Sequence, residues 1–313
     1  MTISLDKLPA VQTLVTHDSC GDGTGSALLI KDALPHVEVV FVQHGTDAFK
    51  TLQAKPGMLF CDIIPPADRA DEFIAAGALV LDHHRTARSV VERFGENGIF
   101  ADESKEPGVS GTMLAYQHVW KPLCESEATP WLRGWVEQFA TLVGIRDTWQ
   151  NRDPRWEAAC EQNHLLFFMP NTEWVKMGLR HVATEYDHFE WIGEVLARKQ
   201  AKSVQKSING GVYRSTKRGT KILIFNSKSN TSDAAEKLGR EVDVIIGFGY
   251  EAEHGEAKLI LSCRSHADFD CAAFSRSLGG GGHTKAAGAS LPLPENENPY
   301  QTILRLVEAY EHA

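Results

Sequence analysis

The chain has no run approaching the roughly 20 consecutive apolar residues that a membrane-spanning helix needs. It shows no tract of low complexity and no repeat at a solenoid period. The opening residues, Met1 to Lys7, lack the basic start and long apolar core of a signal peptide. Cysteine is sparse: Cys20, Cys61, Cys124, Cys160, Cys263 and Cys271 form no CxxC and no paired zinc spacing. That argues against a disulfide scaffold or a zinc finger and favours reduced thiols in a cytoplasmic protein. Basic residues are outnumbered, 32 Lys and Arg against 41 Asp and Glu, leaving a net charge of −9. A protein that tracks a long duplex needs a basic footprint, so long duplex nucleic acid is not an expected partner, and neither is a membrane.

What remains is the composition of a globular protein, 42% hydrophobic and 23% charged over 313 residues. That length exceeds the usual single core, so two domains are expected. The first half alternates short apolar runs with helical patterns. Strands are expected at Val11–Thr16, Val37–Gln43, Met58–Cys61 and Ala78–Leu81. Helices are expected at Gly25–Leu34, Ala48–Gln53 and Ala67–Ala76. This rhythm predicts a mostly parallel sheet with helices on both faces. From Ser110 to Thr148 the pattern turns helical, notably at Trp131–Val143, and helices continue through Glu157–Phe168 and Thr172–His188. The charged stretch Ile192–Ser207 reads as a helical connector. Beyond it come strands at Lys221–Asn226, Val242–Gly247 and Lys258–Cys263, with helices at Ser232–Leu238, Ala272–Ser277 and Tyr300–Tyr310. Pro292–Pro299 reads as a loose tail before the last helix.

The chemistry gathers where three strand-like runs stop. Val11–Thr16 runs into His17-Asp18-Ser19-Cys20-Gly21-Asp22-Gly23, Met58–Cys61 into Asp62, and Ala78–Leu81 into Asp82-His83-His84. In an open α/β sheet ligands bind at such strand ends, and carboxylates with imidazoles suit hard divalent ions. Asp62, at the end of a strand expected to be central, is the natural bridge between two ions. Gly23 and Gly25 allow a tight turn onto a helix N-terminus, whose free N–H groups suit a phosphate. Far along the chain stands Gly279-Gly280-Gly281-Gly282-His283-Thr284-Lys285-Ala286-Ala287-Gly288. Four successive glycines suit a loop whose N–H groups approach an anion closely, rather than a strand or helix interior. Their bland reading is close packing against Ala286-Ala287. Trp149, Trp156 and Trp191 could stack on a base, but at helical spacing such residues are more often core, and they carry no assignment.

In Asp82-His83-His84 and the glycine-histidine motif ending in Ala286-Ala287-Gly288, the chain resembles the DHH phosphoesterase superfamily with its associated C-terminal domain. The likeness in motif order runs from about residue 11 to 290. It implies an α/β fold in which a parallel-sheet catalytic domain with flanking helices (1–191) joins, through a helical linker (192–211), a smaller α/β substrate-binding domain (212–313). The active site is expected in the cleft between them. By resemblance, His17, Asp22, Asp62, His83 and Asp147 ligate two Mn²⁺ ions, with Mg²⁺ or Co²⁺ as substitutes. His84 then faces the substrate and Asp82 orients an imidazole. Arg264, Ser265, Gly280, Gly281, Gly282 and His283 would hold the far end of the substrate, Arg264 by its planar fork. The family pattern has two aspartates one residue apart after the histidine. Here Asp22 matches the second, but Cys20 stands at the first and the loop is one residue longer. Asp18, Cys20 or water could complete that site, with a thiolate the poorest match for Mn²⁺.

The resemblance implies a phosphodiesterase that uses two ions to activate water against short nucleotides: linear oligonucleotides, cyclic dinucleotides or 3′-phosphoadenosine phosphate. Competing readings are a RecJ-like single-strand exonuclease, an inorganic pyro- or polyphosphatase, and a nucleotide-binding sensor with weakened catalysis. The acidity disfavours the exonuclease and the glycine-rich signature disfavours the pyrophosphatase. The oligomeric states compatible with this reading include a homodimer.

Overall fold

A computed structural model describes residues 4–102, 105–253, 256–292 and 297–312. The chain divides into two compact units, Met1–Ala197 and Arg198–Ala313. The first begins with strand β1 (Thr13–His17), helix α1 (Gly21–Ala33), β2 (Glu38–Val42), α2 (Asp47–Lys50), β3 (Met58–Cys61), α3 (Ala70–Ala75), β4 (Leu79–Asp82), α4 (Arg88–Val91) and β5 (Gly98–Phe100). The strands form one parallel sheet in the order β2-β1-β3-β4-β5. The apolar runs are nearly continuous because both faces are covered. Leu14, Leu59 and Leu81 point into one core, and Val15, Phe60 and Val80 into the other. Strand β5, only three residues long, is too short to show a period and was not foreseen from the sequence.

From β1 the chain first adds β2 on one side and then crosses back to place β3 on the other. A ligand crevice opens at the carboxyl ends of strands where the order reverses in this way. Here His17 and Asp62 flank it. The helical half follows: α5 (Gly111–Ala115), α6 (Lys121–Cys124), α7 (Pro130–Asp147), α8 (Trp156–Leu166), α9 (Asn171–Met177), α10 (Leu179–Thr184) and α11 (Tyr186–Asn209). A π-helical stretch, Tyr116–Trp120, joins α5 to α6. The Ser110 hydroxyl accepts from Met113 N–H at the start of α5. Thr129 caps α7, with Pro130 in its first turn, where a missing N–H costs nothing. The helical stretch expected over Thr172–His188 is divided at Gly178, which takes φ +83° between α9 and α10, a conformation only glycine adopts cheaply.

The unit boundary falls inside α11. Phe189 and Ile192 pack on a core of the first unit, while Val204 and Ile208 belong to a core of the second. The second unit continues with β6 (Val212–Ser215), β7 (Lys221–Phe225), α12 (Thr231–Leu238), β8 (Val244–Glu253), β9 (Glu256–Ser265), α13 (Cys271–Ser277), β10 (Gly281–His283), β11 (Ala286–Pro292) and α14 (Pro299–His312). Its sheet runs β10-β11-β9-β8-β7-β6, antiparallel except for β7 and β8. The sheet packs its Ile246 face on α13 and α14, while Leu223, Phe225 and Ile245 face the core that includes Ala234 and Ala235 of α12. Residues 293–296 of the Pro292–Pro299 tail lie outside the described residues.

The glycine quartet corrects the expectation of a free anion-binding loop. Gly279, at φ +81°, and Gly280 donate their N–H groups to Arg276 and Ser275 carbonyls and end α13. Gly281–His283 is then an edge strand paired with Ala286–Gly288. A Cβ at Gly280 would stand 2.1 Å from the Gly288 carbonyl oxygen, and one at Gly282 would stand 2.6 Å from Ala287 Cα. The glycines let the two segments lie in contact, and that tertiary pairing overrides their poor strand propensity.

Candidate metal centre

The centre assembles from the carboxyl ends of β1, β3 and β4, the start of α1 and the end of α7. Asp62 follows β3 with φ +62°, a left-handed conformation rarely taken by a residue with a side chain, and such strain concentrates at functional sites. Its side chain is 1% exposed, yet neither carboxylate oxygen has a hydrogen-bond partner. His83 is 3% exposed and both ring nitrogens are likewise unpartnered. Buried polar atoms without partners are costly. Here all four belong to good metal ligands.

His83 Nε2 lies 3.5 Å from Asp22 Oδ2, 3.4 Å from Asp62 Oδ1 and 3.4 Å from Asp147 Oδ2. These are ion-pair distances without hydrogen-bond alignment. On the other side of Asp62, His17 Nδ1 is 4.0 Å from Asp62 Oδ2. Among the described residues, ligand atoms lie within 4.8 Å of one another in three groups: His17, Cys20 and Asp62; Asp62, His83 and His84; Asp22, His83 and Asp147. Asp62 and His83 are each shared by two groups. The residues fit a pair of divalent ions, with carboxylate and imidazole donors on both sides of a shared carboxylate.

Asp22 is held by another element. Gly111 N–H donates to one carboxylate oxygen at 2.6 Å and Thr112 N–H to the other at 2.7 Å. These are orphan donors at the amino end of α5, where an anion is favoured. Gly111 can come this close because a Cβ there would stand 2.4 Å from the Asp62 Cβ. The sequence reading missed Gly111 and Thr112. The capping serine Ser110 just before them was the available signal.

The charges are strongly coupled. Burial raises the Asp62 carboxyl well above its usual range, and Asp22 and Asp147 add to it. Burial opposes ionisation of Asp22 as well, but His83 and the Thr112 N–H outweigh it and hold that carboxyl low. Burial lowers the basicity of His83, but Asp22 and Asp147 overcome it and raise its pKa to about 9. Asp147, at the rim with its side chain 26% exposed, is pushed up to about 6 by desolvation and the Asp22 charge. At His84 the desolvation is outweighed by Asp82, and its pKa rises. Asp82 Oδ1 accepts from the His84 N–H at 2.7 Å and lies 3.0 Å from Nδ1, which fixes the ring. With its side chain 38% exposed, His84 is the open imidazole of the centre.

Asp18 corrects a second expectation. Its carboxylate accepts from the Ser19 N–H at 2.7 Å and from the Asn171 amide at 3.3 Å. Cys20, not Asp18, stands with His17 and Asp62. Ser19 at φ +52° turns the chain between the two residues. His44, also unforeseen, lies beside His17, with ring centroids 5.9 Å apart and the ring planes tilted by 58°.

In the second unit the expected substrate-binding residues meet at one end of the sheet. Arg264 registers with Ala286, which pairs with His283. The Arg264 guanidinium donates to Ser232 Oγ, Ser262 Oγ and the Cys263 carbonyl, and burial lowers its pKa. Ser265 is committed to a local turn, exchanging hydrogen bonds with Ala267. The His283 side chain lies outside the described residues.

Fold and centre together define a class: a two-unit α/β protein whose parallel sheet gathers carboxylates and imidazoles at its switch point. Residues 225–312 match the DHHA1 domain model, the C-terminal domain associated with the DHH superfamily. The chain is 25% identical over 243 residues to oligoribonuclease NrnB of Bacillus subtilis, a match covering 72% of this chain and 56% of that protein. The chain thus spans little more than half the length of that curated relative. Among solved structures it resembles the pGpG-specific phosphodiesterase PggH of Vibrio cholerae (TM-score 0.56, 14% identity, 95% of this chain and 99% of that one). It also resembles the exonuclease RecJ bound to manganese (TM-score 0.55, 14% identity, 96% and 90%). At these identities the structural likenesses speak to the fold alone.

Proposed function

We propose that this protein is a metal-dependent phosphodiesterase of short nucleotides, with Mn²⁺ as the activating ion and Mg²⁺ or Co²⁺ as substitutes. The observation that carries the reading is Asp62, a buried carboxylate with both oxygens unpartnered and ligand groups on either side. His17 with Asp62 would hold one ion, and Asp22, His83 and Asp147 the other. Bound there, two divalent ions supply a Lewis acid at phosphorus and an activated water.

The chain's own residues do the rest. Asp82 fixes His84 in one orientation and, against the desolvation of the ring, favours its protonated form, in which an N–H at the open side of the centre would meet a phosphate oxygen. His83 and the Thr112 amide keep Asp22 ionised, and the Gly111 and Thr112 amides hold it in place. Arg264 offers a guanidinium for a distal phosphate. The net charge of −9 suits a short nucleotide held by a few local cations better than a long polymer. The names of NrnB and PggH, an oligoribonuclease and a pGpG phosphodiesterase, point to the same size class.

The test is chromatography of products from a panel of di- to tetranucleotides, cyclic dinucleotides and 3′-phosphoadenosine phosphate, with Mn²⁺ present. Release of mononucleotides or phosphate is expected, and none from Asp62→Asn. Metal-dependent binding without any product would leave the sensor reading in its place.

A further inference from the structure

The ligand group beside His17 differs in kind from its neighbour. One side of the centre is all imidazole and carboxylate: Asp22, His83 and Asp147. The other puts a nitrogen, a sulfur and an oxygen within 4.8 Å of one another, from His17, Cys20 and Asp62. A cysteine alone would say little. Here it stands with a 1% exposed carboxylate whose two oxygens have no partner. The other residue expected to fill this position, Asp18, is engaged with Ser19 and Asn171.

The loop holds the sulfur in this place. After the left-handed turn at Ser19, Cys20 is extended at φ −133° and ψ 136°. Its carbonyl accepts from Thr24 N–H at 3.0 Å and from Thr24 Oγ1 at 2.8 Å. Gly23 lets α1 press against His17, since a Cβ there would stand 2.1 Å from the His17 carbonyl oxygen. With both ends of the loop pinned, the residue left facing Asp62 is Cys20.

We propose that Cys20 is a metal ligand, and that His17, Cys20 and Asp62 form a site for a thiophilic borderline ion, Zn²⁺ or its analogue Co²⁺, next to a harder site suited to Mn²⁺. Thiolate selects softer ions than carboxylate does, and three N, S and O ligands with an open position match Zn²⁺. On binding, the Cys20 S–H bond breaks, its proton leaves to solvent and a sulfur–metal bond forms. The proposal rests on the two-ion reading of the centre and is indifferent to the ester cleaved.

Because most sites prefer Zn²⁺ to Mn²⁺, the comparison must be with variants at Cys20. Chelator-stripped wild type, Cys20→Ser and Cys20→Asp are first checked by circular dichroism. Each then receives one equivalent of Co²⁺ with Mn²⁺ present. A near-ultraviolet thiolate-to-cobalt charge-transfer band is expected in wild type and in neither variant. After competition between Zn²⁺ and Mn²⁺, metal analysis should find about one of each per wild-type chain. In Cys20→Asp the balance should shift toward Mn²⁺ by about tenfold or more. Absence of the band in wild type, or an unchanged ratio in folded variants, overturns the proposal. If Cys20→Ser does not fold, Cys20→Asp, which supplies a hard ligand, carries the comparison. A wild type that shows the band but cleaves no nucleotide supports this proposal and sinks the hydrolase reading. One that cleaves with two Mn²⁺ and shows no band does the reverse.

Discussion

At the scale of single residues, Asp62 is a costly group in the metal-free protein, buried with both carboxylate oxygens unpartnered. Replacing it with Asn removes a buried, unpartnered carboxylate, so the metal-free fold should gain roughly 1–3 kcal/mol. Activity should fall by at least 10²–10³-fold, the order seen when a key electrostatic group is lost. Thermal melts in chelator, read beside turnover, check both halves, and a variant that melts lower than wild type would contradict the burial argument. His83 and Asp147 set a pH dependence. His83, raised from 6.5 to about 9, contributes stability that is full below its ordinary pKa and is lost as pH rises through 9. Asp147, raised from 3.8 to about 6, likewise loses stability as pH rises through 6. Metal-free protein should therefore become less stable between about pH 5 and pH 9. Divalent ions meet fewer competing protons over the same range, so the melting-temperature gain on adding them should grow with pH. A gain independent of pH would show that these groups do not bind the ions.

At the scale of elements, the amino end of α5 supports the centre from outside the strand ends. Gly111→Ala would place a methyl 2.4 Å from the Asp62 Cβ and 3.0 Å from Asp22 Oδ2. Backbone must shift, at a cost of about 1–3 kcal/mol, and the two N–H bonds to Asp22 lengthen. Metal affinity should drop about 10–100-fold, as when outer supports of a site are lost, which metal titration of the variant would show. Unaltered affinity would mean that α5 only fills space. The glycine quartet teaches a related lesson. Composition argued against a strand there, but Gly281–His283 is an edge strand, and the close approach of Ala287 and Gly288 leaves no room for a Cβ at Gly280 or Gly282.

At the scale of the whole molecule, the proposed function assigns separable tasks to the two units. Arg264→Ala should leave metal content and turnover of a small chromogenic diester near wild type. For nucleotides it should raise KM by on the order of tenfold or more, the worth of a hydrogen bond to a charged group. Equal loss of kcat on both substrates would move Arg264 into the catalytic set.

The sequence by itself determined the parallel α/β layering, because strands buried on both faces must read as apolar runs between helices. It also determined the strand ends that bear His17, Asp62 and Asp82-His83-His84, since a polar residue closing such an apolar run falls at the carboxyl end of its strand. Only the tertiary structure decided which loop residue meets Asp62. The choice between Asp18 and Cys20 turns on a left-handed Ser19 and a hydrogen bond from Asn171, 153 positions away in the chain. The grip of Gly111 and Thr112 on Asp22 was hidden for the same reason, as it joins residues about 90 positions apart through backbone amides that no side-chain pattern records.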